Sequence, residues 1–105
     1  MGIVNVNFPR AAIGEGTCTQ TNPLVTTTSG TALAANSSRK RALILNPPGA
    51  TSTVFLSLTN TATVASGLPL APGQGWLEES AIIYTGIFRA IVASGTGSLL
   101  CFEWV

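Results

Sequence analysis

Short apolar or alternating runs, separated by clusters of turn-forming residues, occupy most of the chain. The runs at 24–28, 31–35, 41–46, 53–58, 63–65, 76–79, 87–93 and 98–105 read as β-strands, and no stretch carries a helical period with caps. The breaks fall at Ser29-Gly30, Asn36-Ser37-Ser38, Asn46-Pro47-Pro48-Gly49, Asn60, Ser66-Gly67, Pro72-Gly73-Gln74-Gly75 and Ser94-Gly95-Thr96-Gly97. These residues accept turn dihedrals or end a ladder. Eight or nine short strands at this spacing predict an all-β fold, a single-domain antiparallel β-sandwich of jelly-roll-like type over residues 24–105. Residues 1–23 read as an extended N-terminal arm: Ile3, Val4, Val6 and Phe8 make one strand, Pro9 ends it, and Gly14-Glu15-Gly16 loosens the chain.

The strand faces carry more information than the strand count. Val54, Leu56 and Leu58 define an inward face with Phe55 opposite, and near the C-terminus Leu99 and Cys101 oppose Leu100, Phe102 and Trp104. Ile87 and Ile91 likewise oppose Phe88 and Val92. A sandwich has one interior, so a second apolar face needs a loop, the N-terminal arm or a neighbouring chain to cover it. Few residues are left over for covering, and a neighbouring chain is therefore expected.

Composition supports this direction. Charged residues are 9% of the 105, against about 25% in an average soluble domain, while hydrophobic residues are 46%. Ser and Thr supply the missing polarity, in runs such as Thr26-Thr27-Thr28-Ser29 and Thr51-Ser52-Thr53, and Thr favours extended backbone. A mean hydropathy of +0.44 with net charge +1 belongs to a chain that folds. So few charges of either sign favour association, and a homo-oligomer or a larger assembly is expected. Five Lys and Arg are too few for a nucleic-acid surface. No apolar run approaches the ~18 residues of a membrane span. The N-terminus lacks the basic and apolar regions of a secretion signal, and Val6 stands where a myristoylation signal wants Ser or Thr. Cys18 and Cys101 read as two buried thiols rather than a pair.

The candidate chemistry is sparse. The chain contains no His and no Asp, which removes the commonest general base and metal ligand and every Ser-His-Asp arrangement. Glu78 and Glu79 are neighbours on one strand, so they point to opposite faces and cannot flank one substrate. Neither an enzyme nor a bound metal or cofactor is expected. The glycine pairs at 14/16, 73/75 and 95/97 lead into no helix and carry no following Lys-Ser/Thr, so they read as hairpin turns. Asn36-Ser37-Ser38 matches a glycosylation sequon too short to carry weight. Arg39-Lys40-Arg41 reads as a solvated gatekeeper before an apolar strand, with docking to an acidic patch as the alternative. Trp76, Tyr84 and Trp104 read as core or interface fillers, with a sugar platform as the alternative. The interface candidates are Phe8, Arg39, Lys40, Arg41, Phe55, Trp76 and Trp104.

Thr31-Ala32-Leu33-Ala34-Ala35-Asn36, followed by Arg39-Lys40-Arg41-Ala42-Leu43-Ile44-Leu45-Asn46, resembles the opening of a family of small tailed-phage virion proteins. Residues 66–75 (SGLPLAPGQG), then Tyr84-Thr85-Gly86, Ala90-Ile91, Ser94-Gly95-Thr96-Gly97 and Glu103-Trp104, are similar to later motifs of the same group. The resemblance covers residues 31–105 and implies a β-sandwich or jelly-roll accessory protein of a phage particle. The expected role is a capsid decoration (cement) protein on the outer capsid surface, with the major capsid protein and copies of itself as partners. A tail-fibre or receptor-binding domain recognising a host glycan is the alternative. By analogy with the arms of decoration proteins, Phe8 becomes a candidate for an inter-subunit strand.

Overall fold

A computed structural model describes residues 17–58, 60–79 and 82–105. Among these residues there is no helix, and ten strands follow in order: β1 (Cys18–Thr21), β2 (Leu24–Val25), β3 (Gly30–Leu33), β4 (Arg41–Leu45) and β5 (Val54–Leu58), then β6 (Leu68–Leu70), β7 (Gly75–Glu78), β8 (Phe88–Val92), β9 (Gly97–Ser98) and β10 (Leu100–Trp104). Sheet I has the order β1-β10-β4-β7, sheet II the order β3-β8-β5-β6, and β2 pairs with β9 in a small ribbon. Every pairing is antiparallel. With the ribbon set aside, the first, eighth, third and sixth strands form one sheet, and the second, seventh, fourth and fifth form the other. That is jelly-roll strand order, and the expected fold class holds.

The core lies between the sheets. Ala42 and Ile44 of β4, Val54 and Leu56 of β5, Phe88, Ala90 and Val92 of β8, and Leu99 with Cys101 at β10 are all buried. Each set follows the two-residue period of a strand with one face inside. Partly buried Leu58, Trp76 and Tyr84 pack against this cluster.

Two segments differ from their sequence reading. Residues 18–21 were assigned to the arm, yet they form the edge strand of sheet I: Cys18 pairs with Trp104 and Thr21 with Cys101. Thr17 and Val105 extend the ladder by exchanging backbone hydrogen bonds of 3.2 and 3.0 Å. All four β1 residues are exposed, so this strand is held by backbone pairing and has no apolar alternation to betray it. Residues 63–65 form a turn instead of a strand, because Thr63 Oγ1 accepts from the Ser66 N–H (3.2 Å) and the Gly67 N–H donates to Thr63 O (2.8 Å). The strand lies just beyond, at β6. It tolerates Pro69 because β6 is the edge of sheet II, where a missing N–H costs no ladder bond.

A buried polar residue fastens each end of the sandwich. At one end Asn46, fully buried, donates from Nδ2 to Ser52 O (2.9 Å) and Leu70 O (2.8 Å). Its backbone N–H reaches Gln74 O (2.9 Å), and its carbonyl accepts from the Gly73 N–H (2.7 Å), which joins the turns after β4 and β6. At the other end sits Arg39. Its guanidinium donates from Nε to Glu103 Oε2 (2.7 Å), from one terminal nitrogen to Tyr84 O (2.9 Å) and Gly86 O (3.0 Å), and from the other to Ala34 O (2.6 Å). It also lies 5.4 Å from the centre of the Phe88 ring. One planar group thereby ties the β3–β4 loop, the loop before β8 and the last strand together, a task suited to the rigid fork of Arg.

Candidate interaction surface

The expectation of two apolar faces resolves differently for the two sheets. On sheet II, Phe55 and Ile91 are cross-strand partners facing outward, between inward Val54, Leu56, Ala90 and Val92. The chain covers them itself. Ser29, which precedes β3 at the far edge, accepts the Ala62 N–H on its Oγ (2.9 Å), and Ala62 is 1% exposed. At the other side Gly67 lies against Phe55, so close that a Cβ on residue 67 would stand 2.7 Å from the Phe55 Cβ and 2.7 Å from Thr63 O. The 60–67 segment therefore crosses the outer face of sheet II along the row that holds Ile91 and Phe55. Phe55, an expected interface residue, lies under the chain's own loop.

Sheet I has no such cover among the described residues. Its register places Leu45 opposite Leu100, Leu43 opposite Phe102 and Arg41 opposite Trp104. Leu43 also faces Leu77, and Leu45 faces Gly75. All these positions alternate with buried Ala42, Ile44 and Cys101, so they form the outer face. Gly75 has no side chain of its own, and the Leu43 and Leu45 methyls would stand 3.4 and 3.3 Å from a Cβ placed there. The result is a continuous leucine and aromatic stripe. Leu77 is 50% exposed at one edge, and Phe102 stacks near Trp104 with ring centres 6.4 Å apart. Arg41 rims the stripe, 5.3 Å from the Trp104 ring and 3.9 Å from Glu79 Oε1. Cys18, opposite Trp104, and Gln20, opposite Phe102, border it on β1.

The expected interface residues thus separate. Trp104 and Arg41 belong to the stripe, and Lys40 is exposed beside it, its N–H bound to Trp104 O. Phe8 lies outside the described residues. Arg39 is not a solvated gatekeeper: 4% exposed, it donates to four internal acceptors. Trp76 turns inward opposite Ile44, and its indole N–H donates to Glu78 Oε2 (2.8 Å). Glu78 Oε1 accepts the Tyr84 N–H (3.1 Å), so this carboxylate serves the interior while Glu79 stays exposed, as their adjacency on a strand requires. The cysteines differ as well. Cys18 is exposed and Cys101 buried, both as free thiols. Burial pushes the Cys101 thiol up to about 12. Leu43, Leu45 and Leu77 are not among the residues the sequence singles out, although the unbroken Ala42–Leu45 run is the signature of a strand apolar on both faces.

No protein-family model, no curated protein and no solved structure matches the chain. The site therefore has to be read from its own chemistry. Leu43, Leu45, Leu77, Leu100, Phe102 and Trp104 present no charged or nucleophilic group; they offer apolar area to another surface.

Proposed function

We propose that this chain is a structural virion protein, a capsid decoration protein that docks on the outer shell through the exposed face of sheet I and bridges capsid subunits. The observation that carries this reading is the half-buried leucine and aromatic stripe on the outer face of one sheet, with Leu77 50% exposed at its edge, next to a second sheet whose outer row is crossed by residues 60–67. Supporting it are the resemblance of residues 31–105 to phage accessory proteins and the jelly-roll strand order, an architecture found in viral capsid and lectin domains. The mechanism is burial repeated on a lattice. The stripe forms the apolar centre of a footprint, and several modest contacts to a fixed array of subunits hold far more tightly than one. Catalysis has no part in this reading.

Mixing the protein with undecorated shells and sedimenting them tests it. Wild type is expected to co-sediment near one copy per shell subunit, and L77E is expected to lose that binding with its urea midpoint unchanged, because Leu77 is half exposed. A few copies per particle, or no co-sedimentation, defeats the reading. The stacked Phe102 and Trp104 rings, rimmed by Arg41, favour a second one: a fibre-type domain that lays a host glycan on the aromatic pair. That alternative requires glycan binding by the isolated protein, lost in W104A.

A further inference from the structure

A sheet that is not closed into a barrel ends in edge strands, whose unpaired N–H and C=O groups are a template for another strand. Among the described residues the two sheets have four edges, β1 and β7 in sheet I and β3 and β6 in sheet II. Three of them carry a feature that obstructs pairing. Pro69 lacks an N–H in β6, a register shift between Thr31 and Leu33 interrupts β3, and β7 ends in Glu78, followed by Glu79. Strand β1, Cys18-Thr19-Gln20-Thr21, has no proline, no register shift and no charge, and all its residues are exposed. We propose that β1 is where a second copy of this chain pairs, antiparallel and edge to edge, joining two copies of sheet I into one eight-stranded sheet.

The backbone decides which groups β1 can offer. Thr17 and Val105 exchange both their hydrogen bonds (3.2 and 3.0 Å), and the register continues unbroken to Thr21 opposite Cys101. Antiparallel pairs alternate between bonded and non-bonded, so Thr17, Thr19 and Thr21 face β10 with their N–H and C=O groups, and Cys18 and Gln20 turn theirs to the open edge. The Leu99 N–H on Pro23 O (3.2 Å) continues this alternation. A twofold axis through Thr19, normal to the sheet, uses all the open groups. Cys18 of each copy exchanges hydrogen bonds with Gln20 of the other, and the two Thr19 residues form the close, non-bonded pair with Cα atoms about 4.5 Å apart. Thr opposite Thr is a favourable cross-strand pair.

A second copy is the occupant because β1 is complementary to itself, as a twofold contact requires, and because nothing electrostatic opposes it. Neither strand carries a charge, and the whole chain has a net charge of only +1. To an outside peptide β1 offers no pocket and no charge by which to be chosen. The contact is small, well under the ~800 Å² per partner of a standard interface, so the dimer is weak and reversible. Cys18 and Gln20 border the stripe opposite Trp104 and Phe102, and the axis places both stripes on the same side of the joined sheet, with the two β10 strands about 14 Å apart. Only this last consequence rests on the docking reading: two coplanar footprints engage a lattice more tightly than one.

The test uses the full chain without shells, so its failure is separate from that of the docking experiment. C18S/T19C removes the exposed native thiol and leaves Cys101 buried. Under mild oxidation it is expected to form a disulfide-linked dimer, since ~4.5 Å between Cα atoms is within disulfide range. C18S/Q20C is expected to stay largely monomeric, because residue 20 meets its own equivalent only diagonally, at about 7–8 Å. Adding Q20P to C18S/T19C is expected to abolish the dimer with the far-UV circular dichroism retained, since the Gln20 N–H faces away from β10 and its loss removes no bond within the fold. A second readout leaves the backbone intact: sedimentation equilibrium of the wild type is expected to show a monomer–dimer equilibrium that T19K abolishes by setting like charges opposite each other. No cross-link through T19C, equal cross-linking through T19C and Q20C, or a dimer that survives T19K overturns the proposal. Self-association lost in L77E but kept in T19K does so by assigning the contact to the stripe.

Discussion

Arg39 is buried with one carboxylate and three carbonyls on its guanidinium, and replacing it with Met tests whether that group closes one end of the sandwich. R39M keeps most of the aliphatic stem but removes every donor. Glu103, whose side chain is 15% exposed, is left as a nearly buried charge without its partner, and the Tyr84, Gly86 and Ala34 carbonyls lose their donors. Breaking a buried pair by removing one member costs about 3–5 kcal/mol. Rehydration of the loop carbonyls from outside keeps the total near that range rather than adding a full penalty for each. The comparison is R41M: Arg41 and Glu79 are 3.9 Å apart with side chains 37% and 55% exposed, a pair worth about 0–1 kcal/mol. Equilibrium urea unfolding followed by tryptophan fluorescence measures both, with the slope monitored so that a changed denatured state is not mistaken for lost stability. In a domain of typical total stability, about 5–15 kcal/mol, R39M then removes a large share. R39K is expected to recover little, since one ammonium cannot serve acceptors spread around a planar fork. The double variant R39M/E103L is expected to be more stable than R39M, because the stranded charge is gone. If R39M costs no more than R41M, the guanidinium is not what holds these loops together.

The other predictions concern smaller features. A thiol reagent is expected to titrate Cys18 quickly in the folded protein and Cys101 only on unfolding; two fast thiols would contradict the burial of Cys101. Raising the pH is expected to destabilise the protein through Cys101. The folded thiol titrates near 12 against 9.0 unperturbed, so above about 9 the unfolded state holds fewer protons and stability falls by about 1.4 kcal/mol per pH unit. That contribution is intact below pH 9, and C101V is expected to flatten this part of the alkaline limb relative to wild type; parallel limbs would show that the thiol is not its source. G86A is expected to cost about 1–3 kcal/mol, because a Cβ there would meet the Tyr84 hydroxyl at 2.5 Å and its ring carbon at 2.6 Å. The displaced ring also bonds Ile87 O (2.7 Å) and meets Phe88 edge-on at 5.0 Å; a urea midpoint equal to wild type would place Tyr84 elsewhere.

Where apolar alternation was strong, the fold was legible in the residues. The β4, β5 and β8 strands fall within a residue or two of their expected limits, because each carries an apolar row that fits only one face of a sheet. Strand β1 was not legible: Cys18-Thr19-Gln20-Thr21 has nothing to bury and joins the sheet through its backbone alone. The interaction surface was half legible. Leu100, Phe102 and Trp104 announced a second apolar face, but its continuation through Leu43, Leu45 and Leu77 depends on which strands are neighbours, which is a property of topology. Arg39 was misread for a related reason. Flanked by Lys40 and Arg41, it looks like part of a solvated cluster, and its acceptors are 5 to 64 residues away in sequence.

The placement of the charges bears on how the surface is used. Seven of the nine charged residues lie in the described segments, and several of them serve the fold. Arg39 and Glu103 close one end, Glu78 holds Trp76 and Tyr84, and Arg41 approaches Glu79 at the rim of the stripe. Little charge is left to keep copies apart, so solubility rests on exposed Ser, Thr and Asn. Hydroxyls and amides hydrate a surface without building a repulsive field, and they do not enforce separation as like charges do. A freely diffusing protein with a leucine stripe on one sheet face and so weak a field is prone to self-association. The same surface suits a subunit whose apolar face is occupied by a partner, as the proposed docking requires. Loading the exposed hydroxyl surface with Glu at positions far from sheet I, such as Thr27 and Thr61, should therefore leave shell binding by the stripe intact and raise the concentration at which the free protein associates.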